Sequence, residues 1–157
     1  MIIKISNSRF ILVQHPRYVT PSLAHMLRPS IQTLNHIRVL VDIYDVDADD
    51  DFNPLFSITS ELEDMRNSSI IETIEITVTD IDRRRREDFD WGRLDEVLTA
   101  LGWFSLKRVS LSIRMHKCSL DFTELDAALR KSIKRQFPRL SSSNSVSFDF
   151  EVDIVLK

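Results

Sequence analysis

The sequence predicts an α/β solenoid: helix–strand units stacked in series, with one parallel sheet and helices on one of its faces. Three observations carry that prediction. An apolar alternation recurs four times, as Val39-x-Val41-x-Ile43, Ile74-x-Ile76-x-Val78, Val109-x-Leu111-x-Ile113 and Val146-x-Phe148-x-Phe150, with first residues 35, 35 and 37 positions apart. Self-similarity at a period of about 20 to 50 residues marks units that bury their apolar face only by stacking on their neighbours. A helical segment precedes each of these strands, and strands joined through a helix run parallel by right-handed crossovers. Finally, Ser110, Ser112 and Arg114 alternate with the apolar set of the third strand, as Ser147, Asp149 and Glu151 do in the fourth. A sheet covered on both faces would be apolar on both, so one face is expected to stay open.

The whole chain, residues 1–157, reads as a single repeat domain with units at roughly 20–45, 53–80, 90–116 and 123–153. Upstream of them, Ile3 and Ile5 or Phe10 and Leu12 are candidate strand residues, and the pattern does not choose between the two registers. The first unit opens at Thr20-Pro21 with Leu23 and Leu27 on a helix that Pro29 ends or kinks near Arg28. In the second, Asn53 is a cap and Pro54 takes the first helical position, where its missing N–H costs nothing. Leu55, Ile58, Leu62 and Met65 then form an apolar stripe. Asp90 is the expected cap of the third helix, with the stripe Trp91, Leu94, Leu98 and Leu101. Thr123 and Asp126 resemble a capping box ahead of Leu125, Leu129, Ile133 and Phe137. The core is expected to be anchored by Val41, Ile76, Leu94, Leu98, Leu111, Leu129 and Phe148.

Composition bounds the chemistry. With 43% hydrophobic and 29% charged residues the chain has the make-up of an ordinary globular protein, and its net charge of −3 argues against nucleic acid as a partner. The single Cys118 excludes an intramolecular disulfide, and Lys4, Asn7 and Arg9 interrupt any signal-peptide core. No apolar run is long enough to span a bilayer, so the expectation is a soluble protein of the cytoplasm or nucleus, with no membrane partner. Only two glycines, Gly92 and Gly102, are present. Phosphate-cradling loops, dinucleotide fingerprints and nucleophile elbows need glycine where backbone turns sharply or approaches a ligand, and none can be built here. The expectation is therefore a non-enzymatic protein without a cofactor.

Extending two strands backwards gives Ile71-x-x-Ile74-x-Ile76 and Leu106-x-x-Val109-x-Leu111, which resembles the L-x-x-L-x-L core of leucine-rich repeats. Thr79 and Arg114 stand where that family places Asn or Cys, and the longer period leaves room for a full helix per unit. Whole phrases carry a nearer resemblance: Arg28-Pro29-Ser30-Ile31-Gln32-Thr33-Leu34, Trp91-Gly92-Arg93-Leu94-Asp95-Glu96-Val97-Leu98, Phe104-Ser105-Leu106-Lys107-Arg108-Val109 and Phe137-Pro138-Arg139-Leu140. Over residues 20 to 155 these are similar to the C-terminal part of F-box-associated, leucine-rich-repeat-like proteins of basidiomycete fungi. The resemblance implies a leucine-rich-repeat-like solenoid fragment and no catalytic residues. It also implies the substrate-binding half of an F-box-type adaptor, although the family's ligase-docking F-box has no match in this sequence.

Several constellations invite chemistry, and each has a plainer reading. Asp45-x-Asp47-x-Asp49-Asp50-Asp51 opens like a calcium loop, but Asp50 and Phe56 occupy the places of the required glycine and bidentate glutamate. A solvated acidic loop is the simpler account; a metal-dependent enzyme or cation-binding protein built on residues 45–51 is the alternative. Arg83 to Arg86 form a basic run that Asp80, Asp82, Glu87, Asp88 and Asp90 nearly neutralise. His116 and Cys118 share a spacing that a thiol–base pair uses, without a third group to orient the base. Trp91 and Trp103 are expected to pack rather than bind.

The polar strand face remains. Aligning the apolar alternations places Leu40, Asp42 and Tyr44 beside Glu75, Thr77 and Thr79, then Ser110, Ser112 and Arg114, then Ser147, Asp149 and Glu151. The expected partner-binding residues are Asp42, Tyr44, Glu75, Thr77, Ser110, Ser112, Arg114, Ser147 and Asp149. Hydroxyls and acidic charge with one arginine would suit another protein or a basic peptide segment. The remaining alternative is a truncated gene copy without function, self-associating through an uncapped N-terminal edge.

Overall fold

The computed structural model describes residues 2–6, 9–14, 33–42, 54–68, 70–79, 91–116 and 122–155. Their strands form one open sheet in sequence order: β1 (Ile2–Ser6), β2 (Arg9–Gln14), β3 (His36–Asp42), β4 (Thr73–Thr79), β5 (Arg108–His116) and β6 (Ser147–Val155). From β2 onward every neighbouring pair is parallel. Both upstream candidates are strands: β1 and β2 form an antiparallel pair with Ile3 opposite Leu12 and Ile5 opposite Phe10. Helices α1 (Pro54–Met65), α2 (Trp91–Thr99), α3 (Phe122–Gln136) and α4 (Pro138–Ser141) fall between the parallel strands, so the fold is α/β.

Alternation along the strands sets up the core. Ile37, Val39 and Val41, Ile74, Ile76 and Val78, and Val109, Leu111 and Ile113 are all buried in one cluster with Leu55, Ile58, Leu62 and Met65 of α1 and Trp91, Leu94, Val97 and Leu98 of α2. Phe137, fully buried ahead of α4, ties the helices to the last strand, its ring 5.7 Å from that of Trp91 and 5.2 Å from that of Phe148. Five of the expected anchors, Val41, Ile76, Leu94, Leu98 and Leu111, are buried; the side chain of Leu129 lies outside the described part. Phe148 is a correction. It is only partly buried, because among the described residues β6 has a neighbouring strand on one side alone.

The register departs from the aligned alternations by two residues at both ends of the parallel run. Ile37, not Val39, lies opposite Ile74, and Phe148, not Val146, lies opposite Val109. Equivalent residues Ile37, Ile74, Val109 and Phe148 are therefore 37, 35 and 39 positions apart. The shift of two keeps every side chain on its expected face, so burial alone does not specify it. The strand entries do. The Asn35 carbonyl accepts the N–H groups of Glu72 and Thr73, the Glu72 carbonyl those of Lys107 and Arg108, and the Lys107 carbonyl that of Ser147. Val146 stays outside β6 because its N–H donates to Ser143 Oγ at 3.1 Å, within the turn.

Leu101 is the second correction. The helical stripe would include it, but α2 ends at Thr99 and Leu101 is 95% exposed. Gly102, at φ 113°, reverses the chain there in a conformation that other residues rarely adopt. The expected box at Thr123 also shifts, since α3 already begins at Phe122. The helix expected from Thr20, the caps Asn53 and Asp90, the acidic loop 45–51, the run Arg83 to Arg86 and Cys118 lie outside the described residues.

Candidate functional site

The side of the sheet opposite the core carries polar side chains in four transverse rows. Arg38, Glu75, Ser110 and Asp149 share one row; Leu40, Thr77, Ser112 and Glu151 the next. Asp42, Thr79, Arg114 and Asp153 form a third, and His36, Thr73, Arg108 and Ser147 the row at the strand entries. A hollow of about 260 Å³ opens at the centre, bordered by Arg38, Glu75, Thr77, Ser110, Ser112, Arg114, Glu151 and Asp153. All of these lie on strands, so among the described residues no helix covers this face.

The structure thus brings together Glu75, Thr77, Ser110, Ser112 and Arg114 from the expected set. Asp149 sits in the same row as Ser110 but is ion-paired beside the hollow, and Ser147 lies one row away at the strand entry. Asp42 aligns with Thr79 and Arg114, not with Thr77 and Ser112 as expected; nothing further is described of its side chain. Tyr44 lies outside the described residues. Missed by the shifted alignment were Arg38, which replaces Leu40 beside Glu75, and Asp153, the partner of Arg114; Arg108, the partner of Asp149, was missed because it precedes the alternation starting at Val109.

Those additions change the electrostatics. Arg38 Nε lies 3.5 Å from Glu75 Oε2, and His36 Nε2 lies 3.6 Å from Glu75 Oε1. Arg108 Nε donates to Asp149 Oδ2 at 2.8 Å, and Arg114 Nε to Asp153 Oδ2 at 3.0 Å. The face therefore carries three arginines rather than one, against the carboxylates of Glu75, Asp149, Glu151 and Asp153; Arg38–Glu75 and Arg114–Asp153 pair within a row and Arg108–Asp149 diagonally. The three arginine pairs are well exposed, and each stabilises the fold by less than about 1 kcal/mol, because solvent screens it and the long side chains lose freedom. Their side chains are thus available to re-pair with a partner at little cost to the fold. Thr77 is the exception, buried at the centre of the hollow.

The other chemistry is sparse. Among the described residues no three His, Cys, Asp or Glu side chains group so as to hold a metal ion, and no helix is long and apolar enough to cross a membrane. Both tryptophans pack: Trp91 is buried, and Trp103 Nε1 donates to the Val97 carbonyl at 2.8 Å. Asp95 is a structural residue that the sequence pattern did not single out. It is 2% exposed, and its two carboxylate oxygens accept the N–H groups of Arg139 (3.0 Å) and Leu140 (2.9 Å) at the start of α4.

Compared with known proteins, the chain matches no protein-family model, no curated protein and no solved structure.

Proposed function

We propose that this chain is a non-enzymatic protein-recognition module, a leucine-rich-repeat-like solenoid fragment that holds another protein on its polar strand face. The observation that carries the reading is the uncovered face itself. Four parallel strands in unbroken order, β3 to β6, present in-register rows of hydroxyls, arginines and carboxylates around a shallow hollow. Extended faces of stacked repeats serve recognition because they offer many weakly committed polar groups on a rigid frame. The presence of both signs on the face favours a partner surface that also carries both signs over a uniformly basic peptide. The similarity to F-box-associated proteins supports the same class of role, capture of a protein substrate.

The test is affinity capture with the purified chain and with two charge reversals, Arg114→Glu and Asp149→Lys. Each should abolish capture of a partner that the unaltered chain retains, with unchanged far-UV circular dichroism, since each removes only an exposed ion pair. Retention of the same partner by both variants would remove the strand face from consideration.

A further inference from the structure

β6 stands at the end of the strand order, and among the described residues nothing pairs with its outer side. A row of backbone N–H and C=O groups along such an edge is a template for one more strand. Two features distinguish this edge. On the core face, Val109 and Leu111 of β5 are each 1% exposed, whereas their neighbours Phe148 and Phe150 on β6 are only partly buried. They border a hollow of about 460 Å³ with Ile133, Leu140 and Val146, rimmed by Arg130, Lys134 and three serines. Apolar surface is therefore left uncovered where a following strand would close it.

On the polar face, β6 carries Asp149, Glu151 and Asp153 in alternation. Across the parallel sheet, carboxylates of neighbouring strands are met by arginine: Glu75 by Arg38, Asp149 by Arg108 and Asp153 by Arg114. Glu151 faces Ser112 and has no cationic partner among the described residues. Within the sheet its row offers it only a hydroxyl, and a cation on a strand beyond β6 would complete that row.

We propose that β6 is a docking edge for an extended segment of a partner protein in which apolar residues alternate with lysine or arginine. The apolar positions enter the hollow beside Phe148 and Phe150, the main chain extends the ladder, and a basic side chain lies opposite Glu151. Arg130 occupies part of this edge in the free protein, donating from Nη1 to the Phe150 carbonyl at 3.3 Å with its guanidinium 5.9 Å from the Phe150 ring centroid. The incoming strand takes over that carbonyl. A second copy of the chain is a poor occupant, because antiparallel self-pairing centred on Glu151 sets Glu151 against Glu151 and Asp149 against Asp153. Like charges directly opposite one another destabilise a strand pair. The ladder and the apolar hollow of this edge are distinct from the strand face; Glu151 sits on the edge strand and also borders the face, so the N-methylated control below is what separates edge pairing from binding on the face.

The experiment is fluorescence anisotropy of the full chain with a labelled Val-Lys-Val-Arg-Val-Lys-Val peptide. Controls are the same peptide with glutamate at the basic positions and one N-methylated at every backbone nitrogen, which keeps the charges but cannot donate to the ladder from either edge. Saturable binding of the first peptide alone is expected, weakened about tenfold by Glu151→Lys as a cross-strand attraction becomes a repulsion. Glu151 is exposed, and Glu151→Gln provides a milder variant that should weaken binding in the same direction. No saturation by about 1 mM peptide, equal binding of either control, or indifference to both Glu151 variants would overturn the proposal. So would a concentration-dependent dimer abolished by Phe150→Pro, which removes an outward-facing N–H and would assign the edge to a second copy.

Discussion

Asp95→Ala should destabilise this protein far more than a polar-to-alanine change on a helix ordinarily does. The reason lies in α4. Its N-cap, Phe137, has no side-chain oxygen to offer, and Pro138 at the first helical position has no N–H. The next two donors, Arg139 and Leu140, both turn to the Asp95 carboxylate from α2, more than forty residues earlier in the chain. Alanine removes both acceptors at once. The Leu140 N–H is buried, and leaving a buried donor unsatisfied costs about 1 to 3 kcal/mol. The Arg139 N–H is less enclosed and can recover water, so its share is nearer the capping value of about 1 kcal/mol. The expected total is about 2 to 4 kcal/mol. Asp95→Asn retains one acceptor oxygen but turns an amide NH₂ toward the other donor, and should lose about half as much. Urea unfolding followed by circular dichroism reads this directly, as a lowered midpoint at unchanged slope. A loss below about 0.5 kcal/mol for Asp95→Ala would refute the reasoning, because it would mean that water or another group satisfies both donors.

Two further changes test the packing. Leu111→Ala, in the middle of β5 and 1% exposed, should cost about 2 to 5 kcal/mol, and a loss below about 1 would contradict the placement of that strand in the core. Gly102→Ala should cost at least about 1 kcal/mol because φ is 113° there, and Asn67→Ala should not rescue it. The Asn67 amide meets the added Cβ but is the movable end of an exposed side chain; full rescue would show that crowding, not backbone strain, governs the position.

How much of this was legible in the sequence follows from what each signal encodes. Alternation at period two shows which face a residue takes, and Ile74, Ile76 and Val78 are buried as that pattern requires. It carries no information about a slip of two, which is why Leu40 stood beside Glu75 in the aligned pattern while Arg38 stands there in the structure. Register came instead from backbone carbonyls such as Asn35 and from the Ser143 turn, whose hydrogen bonds have no side-chain periodicity. The candidate site inherited that error. Ser110, Ser112 and Arg114 were found because β4 and β5 were aligned correctly, whereas Arg38 and Asp153 were missed with their shifted strands and Arg108 because it precedes the apolar alternation that opens at Val109. Leu101 fits a helical stripe, yet Gly102, recognisable as a helix terminator, ends the turn before that stripe can be used. Asp95 was invisible because the need for its carboxylate arises in α4, through a fold contact that no local pattern records.

The central claim, that the polar strand face is where a partner protein is held, is tested most directly by photocrosslinking. Ser112→p-benzoylphenylalanine places the probe at the border of the hollow, and Glu96→p-benzoylphenylalanine places it on the exposed outer surface of α2. The account predicts that the captured protein is crosslinked from position 112 and not from position 96. Crosslinking from 96 alone would put the partner on the helices and contradict it.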